Sequence, residues 1–443
     1  MTEPVRRAGV FALLCTLSLA VPLLGPEIAA ALAAVVLLGA VGITDGPIFD
    51  LLAYPDDYED GRLYGLVAFV LAGVALGLLA VQSSMTTAVF VGTVFLIGYG
   101  NFGERLVRTQ TDSDVAHAAG FCLIATVAAV VGQAATVGLT GGAIQSALPT
   151  ILFLAASGAL LAALLRDVML LYDDPVVMLS VGLLLWLLAE LDPVLGATEI
   201  SIALAITAAL GYASYALETA SIAGMLTGVL LGLLTIVLGG YGWFVVLISF
   251  FAIGGLSSKF RYEEKAELGV AEDNNGARGS GNVLGNAAVA IVAVLGYAAS
   301  SATILPGDPE PGLFLFAFAG SVSTAMSDTL SSEIGSVFDT PRLITTLEPV
   351  EPGTDGGVTW QGEIAGIAGA TVVAGISYVL FPEVGVVGAA IIVAAGIVGM
   401  TVDSLLGATL EGDILSNQGV NFLATLSGAL FCALVVLAFT VFG

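Results

Sequence analysis

Apolar residues dominate the chain in long runs that short polar stretches interrupt. Roughly 15 runs (13 to 16) approach the length needed for a transmembrane helix, which takes about 20 mostly apolar residues. They lie near 9–25, 28–43, 64–81, 85–99, 117–138, 143–165, 174–190, 194–216, 220–238, 240–257, 283–303, 311–326, 362–380, 384–402 and 420–442. The pattern predicts an all-α fold, a polytopic integral membrane helix bundle with about 15 transmembrane helices.

A break in the apolar pattern divides the chain into two halves. Two acidic residues and a proline interrupt the runs near residue 192. We therefore predict a membrane region of about 7 helices over 1–191 and a second of about 8 helices over 192–443. Three long polar loops fall in the second half, at 258–282, 327–361 and 403–419. Candidate chemistry is concentrated there, and the role of 1–191 stays open.

The composition excludes several classes of function. The chain has 58% hydrophobic and 11% charged residues, with 36 Asp and Glu against 11 Lys and Arg, a net charge of −25. So little charge is atypical of a soluble domain, and so negative a chain repels nucleic acid. The surplus of carboxylates favours a halophilic archaeon as host, because strong salt screens like-charge repulsion. An ordinary acidic membrane protein is the alternative.

The basic residues predict the orientation in the membrane. All 11 fall at the N-terminus or in even-numbered loops, which is the distribution that cytoplasmic segments show. We expect a multi-pass protein of the plasma membrane with a cytoplasmic N-terminus and the three polar loops on the cytoplasmic side. Arg6 and Arg7 precede the first run, and no convincing cleavage site follows, which favours a retained helix over a signal peptide.

The first candidate for chemistry is the basic stretch before the run at 283–303. Four of the 11 basic residues lie there, namely Lys259, Arg261, Lys265 and Arg278. A glycine-rich turn at 276–285, with Asn282 and then Asn286, exposes backbone N–H groups at a helix start, where phosphate is favoured. A flexible loop with positive charges flanking a span explains the same residues. The stretch contains no Gly-x4-Gly-Lys-Ser/Thr loop.

Carboxylates at the ends of two apolar runs form the second candidate. Asp328 and Glu333 lie among serines and threonines, and Asp403 ends a later run. Carboxylate oxygens with substrate phosphates are the usual ligands of Mg²⁺, and a carboxylate at the membrane boundary indicates function. Helix residues i and i+5 are about 140° apart, so Asp328 and Glu333 share one metal only if the helix unwinds. Solvation of a helix end is the alternative.

Further polar residues follow these runs. Arg342 is the only basic residue after Arg278, and arginine binds phosphate in a bidentate manner. Hydroxyls, a carboxylate and an amide come next, from Thr345, Thr346, Asp355 and Asn421. His117 is the only histidine, which argues against a Ser-His-Asp triad or a His-ligated zinc. These residue types favour phosphoryl transfer, where positioning and charge neutralisation supply most of the catalysis.

Together these motifs resemble the integral-membrane family of transmembrane protein 19, the family of unknown function 92, which includes a plant phytyl-phosphate kinase. The resemblance covers about 195–443 and rests on motifs at 259–286, 327–335, 341–346, 352–357, and 403–409 with 419–423. It implies transfer of phosphate from a nucleoside triphosphate, CTP or ATP, to a prenyl monophosphate. Geranylgeranyl or phytyl phosphate would then give the diphosphate.

On this hypothesis Asp328, Glu333 and Arg342 are catalytic, and Asp328, Glu333 and Asp403 bind Mg²⁺. Nine residues would bind the substrates and their phosphates: Lys259, Arg261, Arg278, Asn282, Asn286, Thr345, Thr346, Asp355 and Asn421. The lipid bilayer would hold the prenyl chain. Two other classes stay open. One is an ion-coupled transporter, which would bind its ion near the bilayer midplane, and the other is a lipid-phosphate cytidylyltransferase, which releases pyrophosphate.

Overall fold

The computed structural model describes residues 3–168, 174–193, 196–267, 278–307, 310–338, 340–412 and 414–442. The chain forms two compact units, Met1–Ile202 and Ala203–Gly443. The break expected near residue 192 lies in the turn just before the helix that crosses this boundary, α11 (Ala197–Ala216). We refer to the two parts as the first and second units.

The first unit consists of helices and short connections. α1 (Glu3–Cys15) leads through a 3₁₀ turn (Thr16–Leu19) into α2 (Ala20–Leu24). The following helices are α3 (Pro26–Gly42), α4 (Gly46–Leu52), α5 (Asp57–Asp60), α6 (Tyr64–Gln82), α7 (Thr87–Val107), α8 (Asp114–Leu139), α9 (Ile144–Val168) and α10 (Asp174–Glu190).

The second unit begins within α11 and adds a small hairpin to its helices. These helices are α12 (Ile222–Gly239), α13 (Tyr241–Ser258), α14 (Tyr262–Glu267), α15 (Ser280–Ser301), α16 (Pro311–Gly335), α17 (Trp360–Leu380), α18 (Val386–Leu410) and α19 (Asn417–Phe442). Between α16 and α17, β1 (Arg342–Leu343) pairs antiparallel with β2 (Gly357–Val358).

Within the described ranges, 12 helical segments are long and apolar enough to cross a membrane, or 13 if α3 and α4 form one span bent by 109°. The predicted all-α, polytopic membrane fold is confirmed, and the predicted count of about 15 is close. Two further expected spans, α7 and α10, are helices that are less suited to crossing a membrane by length or composition. α10 has only 17 residues, and α7 carries Asn101, Glu104 and Arg105 near its end.

α16 is the central helix of the second unit. It packs against α13, α15, α17, α18 and α19. In its most apolar stretch of 18 residues, 78% of the residues are buried. Its hydroxyls bond to the backbones of neighbouring helices. Ser323 donates to the Ile392 carbonyl at 2.9 Å, and Ser327 donates to the Gly366 carbonyl at 2.8 Å. Hydrogen bonds of this kind hold helices together where no water is present.

Glycines let three helices meet at Thr324. A Cβ on Gly399 of α18 or on Gly428 of α19 would collide with the Thr324 side chain, so a residue larger than glycine does not fit. Residues 328 and 403 each lie one helical turn, about 6 Å, beyond this crossing. The crossing therefore sets the register that places Asp328 of α16 beside Asp403 of α18.

The helices extend further than the polar pattern predicts. We expected loops at 327–361 and 403–419, but α16 continues to Gly335 and α18 to Leu410. The hydroxyls in these extensions are satisfied within their own helices, as for Ser404 and Thr409, which donate to the carbonyls of Met400 and Leu405. Glu333 instead bonds to Lys265 of α14. Since α16 does not unwind, Asp328 and Glu333 point about 140° apart.

Gly428→Ala should destabilise the second unit, because the added methyl group overpacks the contact with Thr324. We expect a loss of about 1–3 kcal/mol in the free energy of unfolding, measured as a lower thermal midpoint in detergent. Gly375→Ala on α17 is the matched control, because a Cβ there meets no atom within 4 Å. Equal midpoints for the two variants would contradict the crossing described above.

Candidate functional site

Two carboxyl groups from different helices meet in the second unit. The carboxyl groups of Asp328 and Asp403 lie within hydrogen-bonding range of each other. Two ionised carboxylates at this range repel each other, so the contact is favourable only with a proton or a cation between them. The Asp403 Oδ1 atom is buried and has no hydrogen-bond partner among the described residues. The pair therefore offers an unused oxygen ligand.

Arg278 supplies positive charge beside this pair. Its side chain is 5% exposed, its guanidinium lies 5.4 Å from the centre of the Phe250 ring, and its charge attracts the Asp328 carboxylate. Within the described part of the chain, its Nε and Nη1 atoms have no hydrogen-bond partner. Burying such donors without an acceptor is costly. A phosphate group would satisfy both N–H groups.

The local fold holds Arg278 by its backbone. Its N–H donates to the Thr219 carbonyl, and its carbonyl accepts from the Ser221 N–H, both at 3.0 Å. Two glycines make room for it. A Cβ on Gly224 would collide with the Arg278 carbonyl, and a Cβ on Gly254 would lie 3.2 Å from both Nη atoms. The turn between α11 and α12, together with α13, thus positions the guanidinium.

Glu333, the third predicted metal ligand, makes a different contact. Its Oε2 accepts a hydrogen bond from Lys265 Nζ at 2.5 Å, and Lys265 also donates to the Ser258 carbonyl at 2.9 Å. Both side chains are buried, with 1% of Lys265 and 8% of Glu333 exposed. The described ranges contain no group of three or more His, Cys, Asp or Glu side chains placed to hold a metal ion. The structure brings together two of the three predicted ligands, and Glu333 instead docks α14 on α16.

The hairpin loop folds onto the end of α18. A Cβ on Gly356 would collide with Ala408 and with the Ser404 carbonyl. The carboxylate of the adjacent Asp355 repels that of Glu411, the residue that follows α18. Burial and the negative charge of Asp355 raise the pKa of the Glu411 carboxyl above its ordinary value, and a hydrogen bond with Asn417 opposes this shift. Acidic side chains therefore extend from the carboxyl pair to the end of α18.

The exposed surface of the hairpin carries two predicted phosphate ligands and the predicted catalytic residue Arg342. Arg342 is exposed, and its Nη1 donates to the Leu347 carbonyl at 2.7 Å. Thr345 and Thr346 are also exposed. These side chains are accessible to a ligand that approaches from solvent.

The basic residues of the stretch before α15 lie in different environments. Arg261 is exposed and pairs with Glu264 at 2.7 Å. Lys259 caps the C-terminus of α13 and is partly buried. The first residues of the glycine-rich turn predicted at 276–285 lie outside the described residues, which resume at Arg278; its later part begins α15. Of this stretch, Arg278 is the residue in reach of the carboxyl pair.

The predicted asparagines lie where α15 and α19 approach closely. A Cβ on Gly285 would lie 3.0 Å from a carbonyl oxygen of α19. Asn286 donates through Nδ2 to the Asn282 carbonyl at 3.0 Å, and Asn421 donates to Asn417 Oδ1 at 3.1 Å. Each amide thus bonds along its own helix, and both are buried.

Sequence reasoning missed parts of this arrangement. It did not assign Lys265 to Glu333, and their separation of 68 residues carries no signal of the pair. It also did not find Gly224 and Gly254, which admit Arg278. A glycine that accommodates a distant side chain has no pattern of its own in the sequence.

Comparison with known proteins identifies the family. The sequence profile of the integral membrane protein family DUF92 matches residues 205–429, which include Arg278 and the carboxyl pair. This chain belongs to the DUF92 family. The resemblance drawn from the sequence motifs is confirmed. No solved structure matches the chain.

Relatives of this DUF92 protein occur in archaea and plants. An uncharacterised membrane protein of Methanocaldococcus jannaschii is 34% identical over 218 residues, 48% of this chain and 84% of its own length. The chloroplastic protein VTE6 of Arabidopsis thaliana is 30% identical over 224 residues, 48% of this chain and 65% of its own length. Protein PGR of the same plant is 28% identical over 270 residues, 51% of this chain and 91% of its own length.

Lys265→Met should destabilise the DUF92 protein strongly, because it leaves the buried Glu333 carboxylate without a partner. We expect a loss of about 3–5 kcal/mol, seen as a lower thermal midpoint in detergent. The double variant Lys265→Met/Glu333→Met removes both charges and should recover most of the loss. If the double variant is less stable than the single one, the ion pair does not act as described.

Proposed function

We propose that this DUF92 protein is a membrane-embedded isoprenoid-phosphate kinase. It transfers phosphate from a nucleoside triphosphate to a prenyl monophosphate and forms the diphosphate. One observation carries the proposal: two carboxyl groups in contact, Asp328 and Asp403, lie beside a buried Arg278 with unused N–H groups. The resemblance to a family that includes a plant phytyl-phosphate kinase supports the same class.

The reaction joins two anions. An oxygen of the prenyl phosphate forms a bond to the γ-phosphorus, the bond from that phosphorus to the β–γ bridging oxygen breaks, and the nucleoside diphosphate leaves. The attacking oxygen is already anionic, so no strong general base is needed. Repulsion between the phosphates is the main obstacle, and positioning with charge neutralisation overcomes it. Arg278 is suited to this role, because its buried Nε and Nη1 donors have no hydrogen-bond partner in the described structure.

Asp328 and Asp403 would hold Mg²⁺. Mg²⁺ takes one or two carboxylates and completes its shell with substrate phosphates and water, which fits this pair and its unpartnered oxygen. When bound, the ion neutralises and aligns the phosphates of CTP or ATP. Glu333 is left out of this set, because Lys265 already neutralises it.

The remaining residues extend this proposal to the surroundings of the site. The exposed Arg342, Thr345 and Thr346 are available for the donor nucleotide on the hairpin. The site would lie on the cytoplasmic side of the plasma membrane, as the distribution of basic residues predicts. The prenyl chain would stay within the apolar part of the protein and bilayer.

Asp328→Asn and Asp403→Asn should each lower the kinase rate by about 10²–10³-fold, because the metal and phosphate charges lose a partner. The assay uses purified protein, Mg²⁺, nucleoside triphosphate labelled in the γ-phosphate, and geranylgeranyl phosphate. Chelation of Mg²⁺ should abolish the product. Glu310→Gln, at the other end of α16 and about 27 Å away along it, is the matched control and should retain activity.

The same assay distinguishes the alternatives. Release of pyrophosphate with transfer of the nucleotide would identify a cytidylyltransferase instead. A folded protein that gives no product with any nucleoside triphosphate would refute the kinase proposal.

Arg278→Gln should raise the KM for the prenyl phosphate by about tenfold or more, because a charge-assisted bond to phosphate is lost. The KM for the nucleotide should change less. Arg62→Gln, on an exposed loop of the first unit, is the matched control. An unchanged KM for the prenyl phosphate in folded Arg278→Gln protein would exclude the assigned role.

A further inference from the structure

A crevice of about 80 Å³ lies between α11, α12, α13 and α15 of the second unit. Its wall is formed by apolar side chains and glycines, including Met225, Gly228, Phe244 and Phe251. Leu210 also lines it and is 41% exposed, so the crevice reaches the outer surface of α11. In a membrane helix, such an exposed leucine faces lipid.

The hydroxyl groups in the wall are satisfied by their own backbone. Thr207 donates to the Ala203 carbonyl at 2.8 Å, and Ser214 donates to the Gly211 carbonyl at 2.8 Å. Thr219 donates to the carbonyl of Ser214 at 2.9 Å. The crevice therefore offers few hydrogen bonds to a polar solute, and its surface is suited to a hydrocarbon chain.

Arg278 links the crevice to the candidate site. The residue lines the crevice, and its guanidinium extends past Phe250 and Gly254 towards Thr329, the neighbour of Asp328. A ligand with an anionic head and an apolar tail complements both surroundings at once. The head would satisfy the unused Nε and Nη1 donors, and the tail would occupy the crevice.

We infer that this crevice binds the head-proximal part of the isoprenoid chain, which enters from the lipid side at Leu210 and carries its phosphate to Arg278. The inference rests on the proposed function, because it takes the prenyl monophosphate as the occupant. The crevice determines where the chain lies, and the carboxyl pair determines where phosphate is transferred.

Gly228→Leu tests the inference by filling the crevice. A Cβ at Gly228 meets no atom within 4 Å, so the helix accepts the side chain. Gly375→Leu on α17 is the matched control, because its Cβ also meets no atom within 4 Å and it lies outside the crevice. Leu210→Trp, at the exposed edge, blocks the crevice in a second way. Thermal midpoints in lipid nanodiscs establish that each variant is folded.

The measurement is equilibrium binding of radiolabelled geranylgeranyl phosphate without nucleotide. We expect Gly228→Leu and Leu210→Trp to bind about tenfold more weakly or worse, and Gly375→Leu to bind like the wild type. Equal binding by all variants overturns the inference that the crevice binds the chain. The kinase proposal then still stands, provided that the wild type is active. A wild type that does not bind the probe also overturns the inference, and the phosphorylation assay then decides the proposed function separately.

Discussion

The close packing of α16 is the constraint on which the second unit depends. Hydrocarbon provides no water for a buried hydroxyl or backbone group, so each polar group needs a partner within the protein. Ser323, Thr324 and Ser327 meet this need by donating to carbonyls of α17 and α18. Glycines on the facing helices permit the short distances that these bonds require. The register that results brings Asp328 against Asp403.

Two acidic side chains of the same helix have opposite electrostatic surroundings. Glu333 is neutralised by Lys265, and the pair is closed by a further bond to the Ser258 carbonyl. Asp328 instead meets another carboxyl group and an arginine whose donors are not all used. Buried polar atoms without partners are rare in native proteins, and binding of a ligand is one way to satisfy them. The contrast supports the proposal that the chemistry takes place at Asp328.

The first unit contains a network in which charged side chains pair with one another. Arg166 bonds to Glu104 at 3.0 Å and to Asp174 at 2.7 Å, and Asn101 donates to Asp174 at 2.9 Å. Arg108 adds a bond to Glu104 at 2.8 Å. The Arg166 guanidinium thus has carboxylate partners within its own unit, whereas two nitrogen atoms of Arg278 have no acceptor among the described residues. This difference supports the proposed role of Arg278 in binding phosphate.

The sequence alone determined the class of the fold, because the length and composition of each apolar run decide whether a helix can cross a bilayer. It also named Arg278, Asp328 and Asp403 among a larger set of candidates that includes Glu333 and Arg342, since charge in so apolar a chain is costly and therefore conspicuous. Only the tertiary structure decided which of these side chains meet. Asp328 joins Asp403 through a crossing of helices, and Glu333 joins Lys265 from 68 residues away. Such contacts arise from packing between distant segments, and the pattern along one segment does not encode the direction in which a neighbouring helix approaches.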